Sequence, residues 1–336
     1  MHSSGRLVDL SEILQYILHV GQYHRDKYQE LKAKITVLHI VFLALLLGWP
    51  PLSAVATAAG LIEVFNSGRI DWCTGTVRAF GIGAPAASEE GKSADSPAGS
   101  QDTALRLAHA NLLKTLGAIR IDASSRVADR MSQSASFRHG LSTLARTAAV
   151  THREYLSDGT VKIDLTMNLT GGFDQFVLPE EIRQVETVTT VTVTSAANKV
   201  APSDVSAENS PYTGLIIDAS EIDARPCLVP VVVDESGEVV YGPAFVSREF
   251  AVTRGMSGYA TTLPAACNDK QKRVGSRPMV VKAIRTRSTG KTDLVISNAD
   301  AARLRSSAVH LDFMKACRVI IVVNPFDPSS KADNGN

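Results

Sequence analysis

The chain has 336 residues, 44% hydrophobic and 21% charged, with 35 Lys and Arg against 34 Asp and Glu for a net charge of +1. That composition can bury a sizeable core and excludes a wholly disordered chain. No basic cluster stands out along the sequence, so nucleic acid is not an expected partner.

The leader comes first. Leu7, Leu10, Ile13, Leu14, Ile17 and Leu18 have helical apolar spacing. Lys32 and Lys34 then precede an apolar run, Ile35–Leu47, followed by a Pro50-Pro51 break and the small residues Ala54-Val55-Ala56 and Ala56-Thr57-Ala58. This is the layout of a secretory signal, with Ala56 and Ala58 as the cleavage candidates. The run is shorter than the roughly 20 apolar residues of a spanning helix. Two fates stay open: cleavage, which frees the rest into the periplasm, or retention as an inner-membrane anchor through Ile35–Leu47. The excess of Lys and Arg before the run puts the bulk of the chain outside in both. Cys73 lies too far on to be a lipoprotein cysteine.

The expected organisation is a leader and signal or anchor over 1–58, an α+β domain over 70–180, a Thr-rich strand and linker over 185–211, a mixed α/β domain over 212–325 and a polar tail over 326–336. In the first domain, 74–82 reads as a strand and 84–103 as a loop rich in Ala, Ser, Gly and Pro. Asp102 is expected to cap a helix over 104–119, with a second helix over 135–146. Around Ser157-Asp158-Gly159-Thr160, the strict alternation of Val161, Ile163, Leu165, Met167 and Leu169 with polar residues predicts a hairpin with one buried face. Helices packed on one side of an antiparallel sheet define the fold class of this domain.

In the linker, Val188, Val191 and Val193 interleave with threonines, a strand that either completes its own sheet or pairs with a neighbour's edge. Leu215-Ile216-Ile217 then reads as a buried strand. Leu228–Val233 and Glu238–Tyr241 read as a hairpin around Asp234-Glu235-Ser236-Gly237, 294–296 as a strand, 300–316 as a helix, and Val319–Val323 as a strand buried on both faces. Of the four cysteines, Cys227, Cys267 and Cys317 share the C-terminal half and are the disulfide candidates, with buried free thiols as the alternative.

Motifs of chemistry are sparse. Ser288-Thr289-Gly290-Lys291-Thr292 resembles the end of a phosphate loop but has Arg285 in place of the first glycine and a strand in place of a helix. Gly81-Ile82-Gly83 lacks a third glycine and reads as a strand end. Asp218, Glu221 and Asp223 crowd one loop without calcium-loop spacing. His109, His139, His152 and His310 form no metal-ligand pair, and no nucleophile elbow occurs. No catalytic, cofactor-binding or metal site is therefore expected.

The segments GTVRAFGIGAP, ALRLAHANLLKTLGAIRID and EYLSDGTVKIDLTMNLTG resemble the LPP-twenty-type bacterial envelope domain, a lipoprotein-like family related to the flagellar proteins FlgP and FlgT. The segments YTGLIIDA, RPCLVPVVVDESGEVVYG and KTDLVISNADAARLRSSAVHLDFMKACRVIIVV resemble the region that follows it in exported proteins. The resemblance implies a non-enzymatic exported cell-envelope protein with a structural or assembly role, in a flagellar setting among others. Its partners would be further copies of itself or other envelope proteins. The alternative is a periplasmic binding module for a small ligand or cell-wall component.

Overall fold

Two glycines decide how the first lobe packs. In the computed structural model, which describes residues 32, 60–85, 97–182, 211–268, 273–287 and 289–326, strands β1 (Ile62–Phe65), β2 (Gly68–Asp71) and β3 (Thr76–Gly83) precede helix α1 (Pro97–Gly117). A Cβ at Gly81 would meet the Ala104 carbonyl at 2.1 Å, and one at Gly83 the Ser100 carbonyl at 2.1 Å. Only glycine lets the helix lie this close to the strand. Ala104, Ala108, Leu112 and Leu116 follow at intervals of four and are fully buried against the sheet.

Helices α2 (Val127–Gln133) and α3 (Ala135–Ala145) follow, then strands β4 (Ala149–Tyr155) and β5 (Val161–Asn168) and helix α4 (Gly172–Val177). The five strands form an antiparallel sheet in the order β1-β2-β3-β5-β4. The hairpin forms in the expected place, with Gly159 at φ +83° and Asp158 accepting from the Thr160 amide. Val161, Ile163, Leu165 and Met167 face the core. One expectation needs correction, and one hairpin is an addition. Helix α1 starts at Pro97, so Asp102 lies inside it, 3.4 Å from Arg106 one turn on, and caps nothing. The β1–β2 hairpin was not anticipated, because Ile62 and Val64 face outward and leave no apolar face to recognise.

The second lobe comprises β6 (Gly214–Asp218), β7 (Val232–Asp234), β8 (Val239–Tyr241), α5 (Arg248–Arg254), β9 (Gly258–Ala260), α6 (Leu263–Cys267), β10 (Pro278–Thr286), β11 (Leu294–Ile296), α7 (Asn298–Arg305), α8 (Ala308–Lys315) and β12 (Val319–Val322). Its mixed sheet runs β8-β7-β11-β10-β6-β12-β9. β6 pairs in parallel with β10 and β12, and every residue of β12 is buried. Leu215, Ile217, Val319 and Ile321 join one core, while Ile216, Ile320 and Val322 join another under α6. Strands covered on both faces read as unbroken apolar runs, which is why VIIVV was legible.

The helix expected over 300–316 is two. Ser306 and Ser307 break it, and His310 Nδ1 donates across the break to the Arg303 carbonyl at 2.9 Å. Helix α8 ends with Arg318 N bonded to Phe313 O and Cys317 N to Met314 O, a Schellman pattern with Cys317 at φ +54° where glycine is usual.

One core cluster runs through both lobes. Leu228 N bonds to Arg120 O at 3.0 Å and Val229 N to Ile121 O at 2.8 Å, so the apolar run at 228–231 joins the lobes before it enters β7. Gly171 N bonds to Val252 O at 2.7 Å, and Arg248 donates to the Pro179 and Gln175 carbonyls. Trp72 meets Tyr259 edge-on at 5.8 Å between ring centres. The Val188–Thr194 strand and the signal with Ala56 and Ala58 lie outside the described residues. Among the described residues no helix is long and apolar enough to cross a membrane.

Candidate functional site

Helices cover one face of the first sheet, and the alternation that buries Val77, Ala79, Ile163 and Leu165 sends their neighbours to the other face. The strand registers set those neighbours in rows: Val64, Arg69, Arg78 and Thr166; then Phe80, Asp164 and His152; then Ile82, Lys162 and Glu154. Val64 is 68% exposed, Ile82 49% and Phe80 40%. A groove of about 620 Å³ runs across this face, lined by Arg69, Arg78, Phe80, His152, Lys162 and Asp164 among others.

The charges here are arranged against stability. Arg69 and Arg78 are direct cross-strand partners on the same face, where like charges repel. Among the described residues neither takes part in an ion pair. Lys162 also takes part in none; its ammonium lies 5.5 Å from the centre of the Phe80 ring. Several cations elsewhere have acids. Arg120 makes a two-pronged bridge to Glu63 at 3.0 and 3.1 Å, and Trp72 Nε1 donates to the same carboxylate at 3.2 Å. Lys282 meets Glu221 at 2.6 Å, and Lys291 pairs with Asp223. The groove thus gathers three cations, a histidine and the aromatic residues Phe65 and Phe80, with Asp164 as its acid.

A second polar cluster lies sealed at the seam between the lobes. Asp174 on α4 is 2% exposed, and its Oδ1 has no hydrogen-bond partner. Burial raises its carboxyl well above the usual range, opposed in part by the Arg273 guanidinium. Arg273 itself donates to the Gly255 carbonyl at 3.2 Å, to that of Cys317 at 3.1 Å and to that of Arg254. The Tyr259 hydroxyl accepts from Cys227 N at 3.0 Å and donates to Cys227 O at 2.8 Å, and the Tyr241 hydroxyl donates to Met256 O. Burial pushes the Cys227 thiol up to about 12 and the Cys317 thiol to about 11. Both therefore stay protonated at neutral pH and are poor nucleophiles.

The residues singled out in the sequence are not brought together into one site. Cys227, Cys267 and Cys317 are free thiols, the first and last buried and Cys267 exposed. Asp218 accepts from the Ser220 amide and hydroxyl, while Glu221 and Asp223 are neutralised by Lys282 and Lys291. Lys291 sits at φ +58°, its carbonyl accepts from Arg225 N, and a Cβ at Gly290 would strike the Ala123 carbonyl at 2.1 Å. That turn is a lobe contact, and β11 follows it. His152 lines the groove, His310 is buried and His139 is exposed. Among the described residues no three His, Cys, Asp or Glu side chains are placed to hold a metal ion.

The groove cations went unrecognised because each comes from a different strand. Outward alternation in TVRAFGI and VKIDLTM is the signal that could identify Arg78, Phe80 and Lys162, but pairing Arg78 with Arg69 requires the β2–β3 register.

Residues 214–325 are similar to the family described as the second domain of Treponema pallidum Tp0624. The matched segment begins at the first residue of β6 and ends just beyond β12, so it covers the second lobe and does not include the open sheet. No curated protein matches the chain.

Proposed function

We propose that this is an exported, non-enzymatic protein of the cell envelope that works by attachment, either to further copies of itself or to a larger envelope assembly. The signal-like layout of 35–58 and the resemblance of both lobes to envelope proteins support the setting; a flagellar assembly is one such setting. The observation that carries the reading is the open face of the first sheet. It leaves Val64, Phe80 and Ile82 in water beside Arg69, Arg78 and Lys162, which form no ion pair among the described residues, whereas strands β11 and β12 of the other sheet are buried throughout. Surfaces of this kind mark interaction sites. The groove also favours a second reading, a binding module for a small ligand, because its volume lies in the range of ligand clefts.

The test is the native mass of the protein after gentle extraction from the envelope, with the N-terminus read on the same sample. A particle many times the mass of one chain, starting near Ala59, is the expected result. A monomer removes the assembly role and moves the weight to ligand binding. A retained Met1 keeps attachment but makes Ile35–Leu47 an anchor.

A further inference from the structure

The geometry points to a ligand class for the groove: an amphiphilic anion, with a phosphate or carboxylate group on Arg69 and Arg78 and its apolar body along Val64 and Phe80. The inference rests on the second reading, a binding module for a small ligand, and names the class of ligand the groove takes.

Three observations converge. Arg69 and Arg78 are opposed across β2 and β3 without acids, and two adjacent guanidinium groups present planar, forked donors to a single anionic group. A bound anion also relieves their repulsion. Apolar side chains flank this pair, Val64 beside Arg69 in the same row and Phe80 in the next, where it faces Asp164, so the groove sets apolar surface directly against the two guanidinium groups. Finally, β2, β3 and β5 are interior strands whose backbone groups are paired. An extended peptide laid on this face would find no backbone partners, whereas an alkyl chain needs none. Lys162, held over the Phe80 ring, supplies a further cation for a dianionic head.

The full-length protein is titrated by calorimetry with hexyl phosphate, inorganic phosphate and hexanol. Hexyl phosphate binds at least about tenfold more tightly than either, and Arg69→Gln with Arg78→Gln removes at least about tenfold of that affinity. Phe80→Ser keeps phosphate affinity but loses the advantage of the hexyl chain. Melting temperatures no lower than that of the wild type show that the variants are folded. Flotation with phosphatidylglycerol and with phosphatidylcholine vesicles separates the sources. Arg-dependent flotation with the anionic vesicles alone assigns a lipid headgroup; hexyl phosphate binding without it assigns a free amphiphile. The inference is overturned if hexanol binds as well as hexyl phosphate, or if the arginine variant binds unchanged. A failed titration beside a large native particle removes the ligand and leaves attachment; a successful titration of a monomer does the reverse.

Discussion

The two sheets of this protein spend their side chains differently. In strands β7, β11 and β12 of the second sheet every residue is buried, and a charge such as Asp234 on β7 is met on every side: Ser236 donates from its amide and hydroxyl, Glu238 from its amide and Arg305 from its guanidinium. The first sheet buries one face under α1 and leaves two arginines opposed on the other. A protein keeps an arrangement that weakens it where the arrangement has a use. The comparison therefore separates residues that hold the fold from residues that act.

The largest expected effect is at the seam. Arg120→Met leaves the buried Glu63 carboxylate without its guanidinium and should lower unfolding stability in urea by about 3–5 kcal/mol. The same change at Arg78, on the open face, should stay within about 0.5 kcal/mol. Equal losses would erase the distinction between the faces. Next comes Gly81→Ala, whose new methyl strikes the Ala104 carbonyl and should destabilise by about 1–3 kcal/mol. Ile82→Thr, its outward neighbour, should be near neutral in the same assay.

The buried acids give opposite pH slopes. Asp174 keeps its proton in the folded protein where the unfolded chain has lost it. Its contribution therefore falls as pH rises from the ordinary carboxyl range through the raised value. Asp174→Asn should flatten that slope and raise the melting temperature at pH 7. Asp234 is held down at about 2, chiefly by the Ser236 hydroxyl and then by Arg305. It stabilises the fold above the ordinary carboxyl range and loses that contribution as pH falls toward 2. Asp234→Asn should lower the melting temperature at pH 7 and make little difference near pH 2. A small effect of the opposite sign belongs to Arg69→Thr. Removing one of two opposed cations should stabilise by about 0.2–1 kcal/mol, a gain that added salt reduces in thermal melts because it screens the wild-type repulsion.

The parts of the fold legible in sequence are those with one-dimensional periodicity. The α+β and mixed α/β classes, the hairpin at Asp158-Gly159, β6 and β12 follow from alternation or from unbroken apolar runs. Strand β10 alternates as well, burying Met279, Val281 and Ala283, yet it is not legible because the apolar Val280 and Ile284 face outward and blur the pattern. The short helices α4, α5 and α6 carry too few residues for a period to show. The site is less legible than the fold, because Arg69, Arg78 and Lys162 are scattered in sequence and become neighbours only through strand register. Asp174 gives no local sign of burial, since α5 and Arg273, which surround it, come from the other lobe.

The central claim is that the open sheet face is where this protein attaches. Its most direct test compares the native particle extracted from the envelope for the wild type and for Arg78→Glu with Phe80→Ser, two changes confined to that face. The account predicts a large particle for the wild type and a much smaller one for the variant, at a melting temperature no lower than that of the wild type. A variant that keeps the full particle size would contradict it and place attachment elsewhere on the chain.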